Sequence, residues 1–289
     1  KYNYTAKEAT GEQLFDYIAE HVSEISIKGV ENSLGHTFSF PCKQNGINSA
    51  ELIYWTKEIK TSGVEGHDVS KILEGSLKRK KIENVTPKAV INDTVGTLLA
   101  AAYSNTDVDM AAICGTGHNA CYLEPNHPLT GKPMIVNIES GNFNKVPQSR
   151  FDVLIDAASE RPGLQKLEKM ISGYYLGEII RVILEQMMKD GVLSESKEIL
   201  KKDVIYGADI DNIIADSADF GATAKVMKEK LGLTSLTRDE LFSVKEIVDL
   251  VSVRSARLVA SIFVGIVYHI DQKIERKHVI AIDGSLYEK

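Results

Sequence analysis

The chain has 289 residues, 43% of them hydrophobic and 26% charged, enough for one large or two medium domains with a buried core. Its formal net charge of −6 excludes a general attraction to nucleic acid or to anionic membrane surfaces. Three cysteines, Cys42, Cys114 and Cys121, are too few for a disulfide framework and have no zinc-site spacing, so a reducing, cytoplasmic setting is expected.

Over 11–25, the apolar residues Leu14, Phe15, Ile18, Ala19, Val22 and Ile25 share one helical face. The stretch 34–40 alternates and meets Pro41, which predicts a strand running into a loop. Residues 68–80 read as a surface helix capped by Asp68, with basic residues in the last turn where they favour the macrodipole. That reading is preferred to a nucleic-acid patch for the basic run 78–81. After Pro87 a short buried strand is expected at 89–91, ending at Asn92, Asp93 and Thr94, where an apolar helix begins over 95–103.

Further on, strands are expected at 110–114, 119–123 and 134–139, the first two joined by a tight turn at Gly115, Thr116 and Gly117. Residues 169–189 read as one long, largely buried helix. Another opens at the capping-box pair Thr237 and Glu240 and runs toward Ile270, and a strand at 279–282 leads into Asp283, Gly284 and Ser285. Alternating strands and helices give an α/β class. The longest nearly uncharged run, 258–267 and a little beyond, is too short to span a bilayer, and no signal-peptide pattern opens the chain.

Several polar residues carry possible chemistry. Asp93 stands where a buried strand meets a helix, a place at which α/β folds expose functional groups; its carboxylate can accept a proton from a bound hydroxyl. On local sequence alone a helix cap at Asp93 or Thr94 is the favoured reading, and the two roles are not exclusive. Gly115, Gly117 and Ala120 satisfy the G-x-G-x-x-A dinucleotide pattern, with Glu139 at the distance of a ribose-binding acid. A β-hairpin fits that segment better, and glycines at its tip would admit an anion to backbone N–H groups. Asn119, Glu139, Gln165 and Glu168 supply the hydrogen-bonding inventory of a sugar site, although each alone fits a structural role. Lys57, after Trp55 and Thr56, fits either a solvated lysine or a group that orients a sugar.

In order along the chain, the motifs LGHTFSFP (34–41), WTK (55–57), NDTVGT (92–97) and GTGHNACY (115–122) are followed by NIESGNF (137–143), PGLQKLEKM (162–170), SGYYLGE (172–178) and DGSLY (283–287). Together they resemble the eukaryotic hexokinase and glucokinase family. The resemblance implies two ribonuclease-H-like α/β lobes closing over a sugar, here a small lobe at 1–93 and a large lobe at 94–289. It implies hexose binding by Ser39, Thr56, Lys57, Asn92, Asp93, Asn119, Glu139, Gln165 and Glu168. Asp93 would be the base toward the sugar 6-hydroxyl, and Lys57 would stabilise the reacting groups.

By the same resemblance, Thr116 and Gly117 match a phosphate loop and Ser285 a position near the nucleotide. ATP is the implied phosphoryl donor, with Mg²⁺ held mainly by its phosphates and water. His36, Glu58 and Ser140 depart from the family's usual Phe, Gly and aromatic residue. The family's N-terminal phosphate hairpin and C-terminal Gly-Ser-Gly segment are not found, so a chain truncated at both ends is expected. A non-catalytic, sugar-sensing relative or a truncated inactive product is the alternative reading.

Overall fold

Helix α1 (Gly11–Ile25) begins at a capping box: the Thr10 hydroxyl accepts the Gln13 N–H, and the Gln13 side chain accepts the Thr10 N–H. This computed structural model describes residues 9–56, 59–217 and 219–287. The chain divides after Ala100 into two compact units.

The first unit continues with β1 (Asn32–Thr37), β2 (Cys42–Gly46), β3 (Ser49–Leu52), α2 (Val69–Arg79), β4 (Val85–Ile91) and the start of α3 (Asp93–Ser104). Strands β1 and β4 pair in parallel, and β2 and β3 form an antiparallel hairpin. Strand β1 stops at Thr37, short of the expected 34–40, because the Phe40 N–H turns back to the Phe38 carbonyl. Strand β4 is longer than 89–91 and contains Pro87. Its ladder with β1 changes register between Leu34 and Gly35, beside the position facing Pro87, where a missing N–H is tolerated. Asp68 caps α2 as expected, accepting from Ser70 and Lys71 N–H. That helix is less of a surface element than expected, for it buries Val69, Leu73 and Leu77 in a core with Phe15, Leu52 and Val90.

The second unit contains β5 (Val108–Cys114), β6 (His118–Glu124), β7 (Met134–Asn137), α4 (Arg150–Ala157), α5 (Lys166–Ile171) and α6 (Gly173–Lys189). It closes with α7 (Gly207–Ile214), α8 (Gly221–Leu231), α9 (Arg238–Ile270) and β8 (Val279–Asp283). Its sheet has the order β7-β6-β5-β8, with β8 parallel to β5 and the other pairs antiparallel. Ile179, Ile180 and Leu184 of α6 pack with Ile213, Met227, Val244 and Val248 of the following helices. By length and composition alone α9 is apolar and long enough to cross a membrane, a property the shorter run 258–267 concealed. Here its Ile266, with Val259, Ile262 and Phe263, packs with Met110, Ala112 and Ala120 of the sheet.

The expected single helix at 169–189 is two helices. Ser172 is extended (ψ 152°), and the Gly173 N–H donates across the fold to the Gly115 carbonyl at 2.9 Å. That long-range bond replaces an intrahelical one and fixes the break. Segment 118–124 is a strand paired with β5, so no helix follows the glycines and the dinucleotide reading fails.

Candidate active site

In the first unit, three segments meet. The Phe38 N–H donates to the Ile91 carbonyl at 2.8 Å, which ties the chain beside Ser39 to the end of β4. Trp55, buried beside Thr56, has its ring 5.8 Å from that of Phe38 and 4.7 Å from that of Phe40. Its indole N–H is satisfied by the Thr61 carbonyl at 2.7 Å. Ser39, Thr56 and the Asn92–Asp93 pair are therefore carried by segments packed on one another. Lys57 lies outside the described residues.

At the start of α3 the capping question resolves locally. Asn92 Oδ1 accepts the Thr94 N–H at 2.9 Å and also receives the Thr94 hydroxyl. Asp93 Oδ1 lies 2.9 Å from the same N–H, at the positive end of the helix. Asn92 occupies the capping position, and Asp93 is the first residue of the helix, half-buried.

In the second unit, Asn119, Gln165 and Glu168 are buried and Glu139 is half-buried. Asn119 Nδ2 donates to Asn137 Oδ1 at 2.7 Å, and Asn137 Nδ2 donates to Glu139 Oε1 at 2.9 Å, a chain linking two of these residues. Asn142 Oδ1 accepts the Gln165 N–H at 3.1 Å. Gly141 is the packing point of the group. A Cβ there would lie 2.7 Å from Gln165 Oε1, 2.9 Å from the His118 carbonyl and 3.0 Å from Glu168 Cβ. Glu139 (φ 54°) and Gln165 (φ 52°) are both left-handed, a conformation costing about 1–3 kcal/mol and concentrated at functional sites.

Beside this corner, the turn between β5 and β6 is held from both sides. The Gly173 and Tyr174 N–H groups at the start of α6 donate to the carbonyls of Gly115 and Thr116, at 2.9 and 3.2 Å. The Leu286 N–H donates to the Cys114 carbonyl at 2.9 Å. Gly284 (φ 119°) makes that approach possible, since a Cβ would lie 2.6 Å from the Cys114 carbonyl. Thr116 and Ser285 thereby line one cleft of about 540 Å³ with the starts of α6 and α7. Gly117, by contrast, is buried. The cleft is in the size range of small-molecule sites, about 300–1,000 Å³. Four hydroxyl-bearing residues (Thr116, Tyr174, Tyr206 and Ser285), the side-chain-free Gly173 and Gly207, and the carboxylates Glu178, Asp203 and Asp211 line it. Of its carboxylates, Glu178 is engaged by Arg181 Nε at 2.9 Å and by the Asp203 N–H at 2.7 Å.

Two family models described as hexokinase match the chain, one over residues 1–103 and the other over 109–289. The chain belongs to the hexokinase family. Hexokinase-1 of Pongo abelii is 37% identical across 96% of this chain, and hexokinase-3 of Homo sapiens is 36% identical across 98%. This chain spans about a third of the length of these curated relatives, 32% and 33% respectively. The hexokinase from Schistosoma mansoni complexed with glucose superposes with a TM-score of 0.89 at 30% identity. The match covers 100% of this chain and 68% of that one. The fold is accordingly the mixed α/β hexokinase fold.

Several residues of this hexokinase-family site escaped the sequence reading. Asn137, Gly141 and Asn142 lay inside a quoted motif, but only the structure reveals their contacts with Glu139, Gln165 and Glu168. Asp156 holds Lys169 Nζ at 2.6 Å and the Gly163 N–H at 2.9 Å, bracing the loop before Gln165. Lys169 stands two residues before the end of α5 and Asp156 one before the end of α4, 13 positions apart, so their pairing gave no local signal. The cleft wall from Asp203 to Asp211 was likewise not anticipated.

Proposed function

We propose that this protein transfers the γ-phosphoryl group of ATP to the 6-hydroxyl of glucose or a related hexose, with Asp93 as the general base. What supports the reading most is the corner around Gly141, where Asn119, Glu139, Gln165 and Glu168 gather beside the turn that lines the cleft. Amide and carboxylate groups held by their neighbours suit the several hydroxyls of a hexose. A relative bound to glucose supports a hexose as acceptor.

Asp93 sits at a helix start with a neighbour as cap, so its carboxylate is available to orient the attacking hydroxyl and take its proton. Ser39, Thr56, Lys57 and Asn92 are further hexose ligands in this reading. Thr116, the Gly117 backbone and Ser285 hold the ATP phosphates and nucleotide, and Mg²⁺ carried on the phosphates neutralises their charge. Lys57 adds positive charge where the phosphoryl group transfers. Three cysteines, too few for a disulfide framework, suit work in the cytoplasm.

The test is glucose-6-phosphate formation in a coupled assay, beside Asp93→Ala, with the fluorescence of Trp55 followed as glucose is added. The chain has only this tryptophan, and it adjoins Thr56. Turnover abolished by Asp93→Ala with the glucose-induced fluorescence change retained is the expected result. No turnover and no glucose binding, or a variant as fast as the parent, would overturn the reading.

A further inference from the structure

We infer that His118 is a positioning residue that ties the turn at residues 115–117 to Glu168, through its backbone amide on one side and its ring on the other. The inference rests on the functional reading above, in which Glu168 serves the sugar and the turn serves the phosphates.

His118 is 5% exposed and faces Cys114 across the ladder that closes the turn. Its backbone N–H donates to Glu168 Oε2 at 3.0 Å. Its ring nitrogen Nδ1 lies 3.8 Å from the sulfur of Cys114 at the end of β5. Nε2 is buried and meets no partner among the described residues.

Burial pushes the imidazole down to about 4 and the Cys114 thiol up to about 11. Both groups are therefore neutral near pH 7, which rules out a thiolate–imidazolium pair and leaves an anchoring role. Any residue at 118 offers an amide to Glu168. Only a side chain with a polar atom at the Nδ1 position also holds that residue to Cys114, the strand end from which the turn projects. The His118 carbonyl packs on Gly141, which brings the same residue against the corner holding Gln165.

The experiment measures glucose and ADP affinities by calorimetry for the parent protein, His118→Ala and His118→Asn, with thermal unfolding of each. Asparagine places an N–H donor near the Nδ1 position. His118→Ala should weaken both ligands about tenfold, the worth of one hydrogen bond, and His118→Asn should recover most of that loss. The parent's imidazole ¹⁵N spectrum should show a neutral ring at pH 7. A folded His118→Ala with parental affinities, an asparagine variant no better than alanine, or an imidazolium at pH 7 would each overturn the inference. A parent that binds neither ligand would instead remove the functional reading beneath it.

Discussion

Asn92 Oδ1 accepts the backbone N–H of Thr94 at 2.9 Å, so the residue before Asp93 caps the helix that Asp93 begins. Asn92 thus carries the cap beside its proposed contact with the sugar, and Asp93 is left as the proposed base. Asn92→Ala should cost about 1 kcal/mol of folding stability through the lost cap. Asp93→Asn loses only a favourable charge at the helix start, less than about 1 kcal/mol. Its turnover should nevertheless fall by about 10²–10⁴, the usual contribution of a positioned base. Urea unfolding and the coupled assay on both variants check the pair. Equal losses of stability would reverse the assignment of the cap.

Gly141 tests how tightly the proposed sugar corner is packed. In Gly141→Ala the new methyl would sit 2.9 Å from the His118 carbonyl and 2.7 Å from Gln165 Oε1. A backbone carbonyl cannot swing aside as a flexible side chain can, so Gln165 and the strand beginning at His118 must part. Overpacking of this kind costs about 1–3 kcal/mol. Glucose affinity should fall by more than ATP affinity, because the displaced residues are those proposed to hold the sugar. Calorimetry with both ligands reads the difference.

How much of this was legible from sequence varied with the range of the forces involved. Helices α1 and α9 were readable because their signals are local: apolar spacing, plus Thr237 answered by Glu240 three residues later. The break between α5 and α6 was not, since the Gly173 N–H is claimed by a carbonyl 58 positions away in sequence, that of Gly115. The hairpin of β2 and β3 escaped notice because Lys43, Gln44 and Asn45 carry no apolar alternation. At the site, residue types that suit a sugar could be picked out. The left-handed backbone at Glu139 and Gln165, and the packing at Gly141, arise from contacts between distant segments.

Glu240 gives a pH dependence with a definite sign. It accepts from the Thr237 N–H at 2.8 Å and hydroxyl at 2.9 Å, and from the Ser194 N–H and hydroxyl, each at 2.8 Å. These bonds, led by the Thr237 amide, hold its carboxyl down to about 2, against an ordinary value of 4.5. A depressed folded-state value stabilises the fold fully above the unfolded value. That contribution is lost as pH falls from 4.5 toward 2. Glu240→Gln should flatten that part of the stability profile while leaving a glutamine able to complete the capping box. Urea midpoints at pH 7, 4.5 and 3 for parent and variant provide the measurement; parallel profiles would refute the assignment.

Lys169 and Asp156 form an ion pair at 2.6 Å, with side chains 5% and 14% exposed. Lys169 also donates to the Arg161 carbonyl at 2.8 Å, and Asp156 accepts the Gly163 N–H. The pair thus fixes both ends of the loop that delivers Gln165 in its left-handed conformation. Removing one partner strands the other charge in a poorly solvated place, typically at about 3–5 kcal/mol. Lys169→Met should therefore be severely destabilising, and Asp156→Asn in that background should recover part of the loss. Asp156→Asn alone keeps an acceptor for Gly163 but weakens the grip on Lys169, so glucose affinity should fall even where the fold survives. A double-mutant cycle on stability, with glucose binding measured for each folded variant, decides the point. An additive cycle would mean that the ion pair carries no coupling, and that the loop before Gln165 is held by its backbone bonds alone.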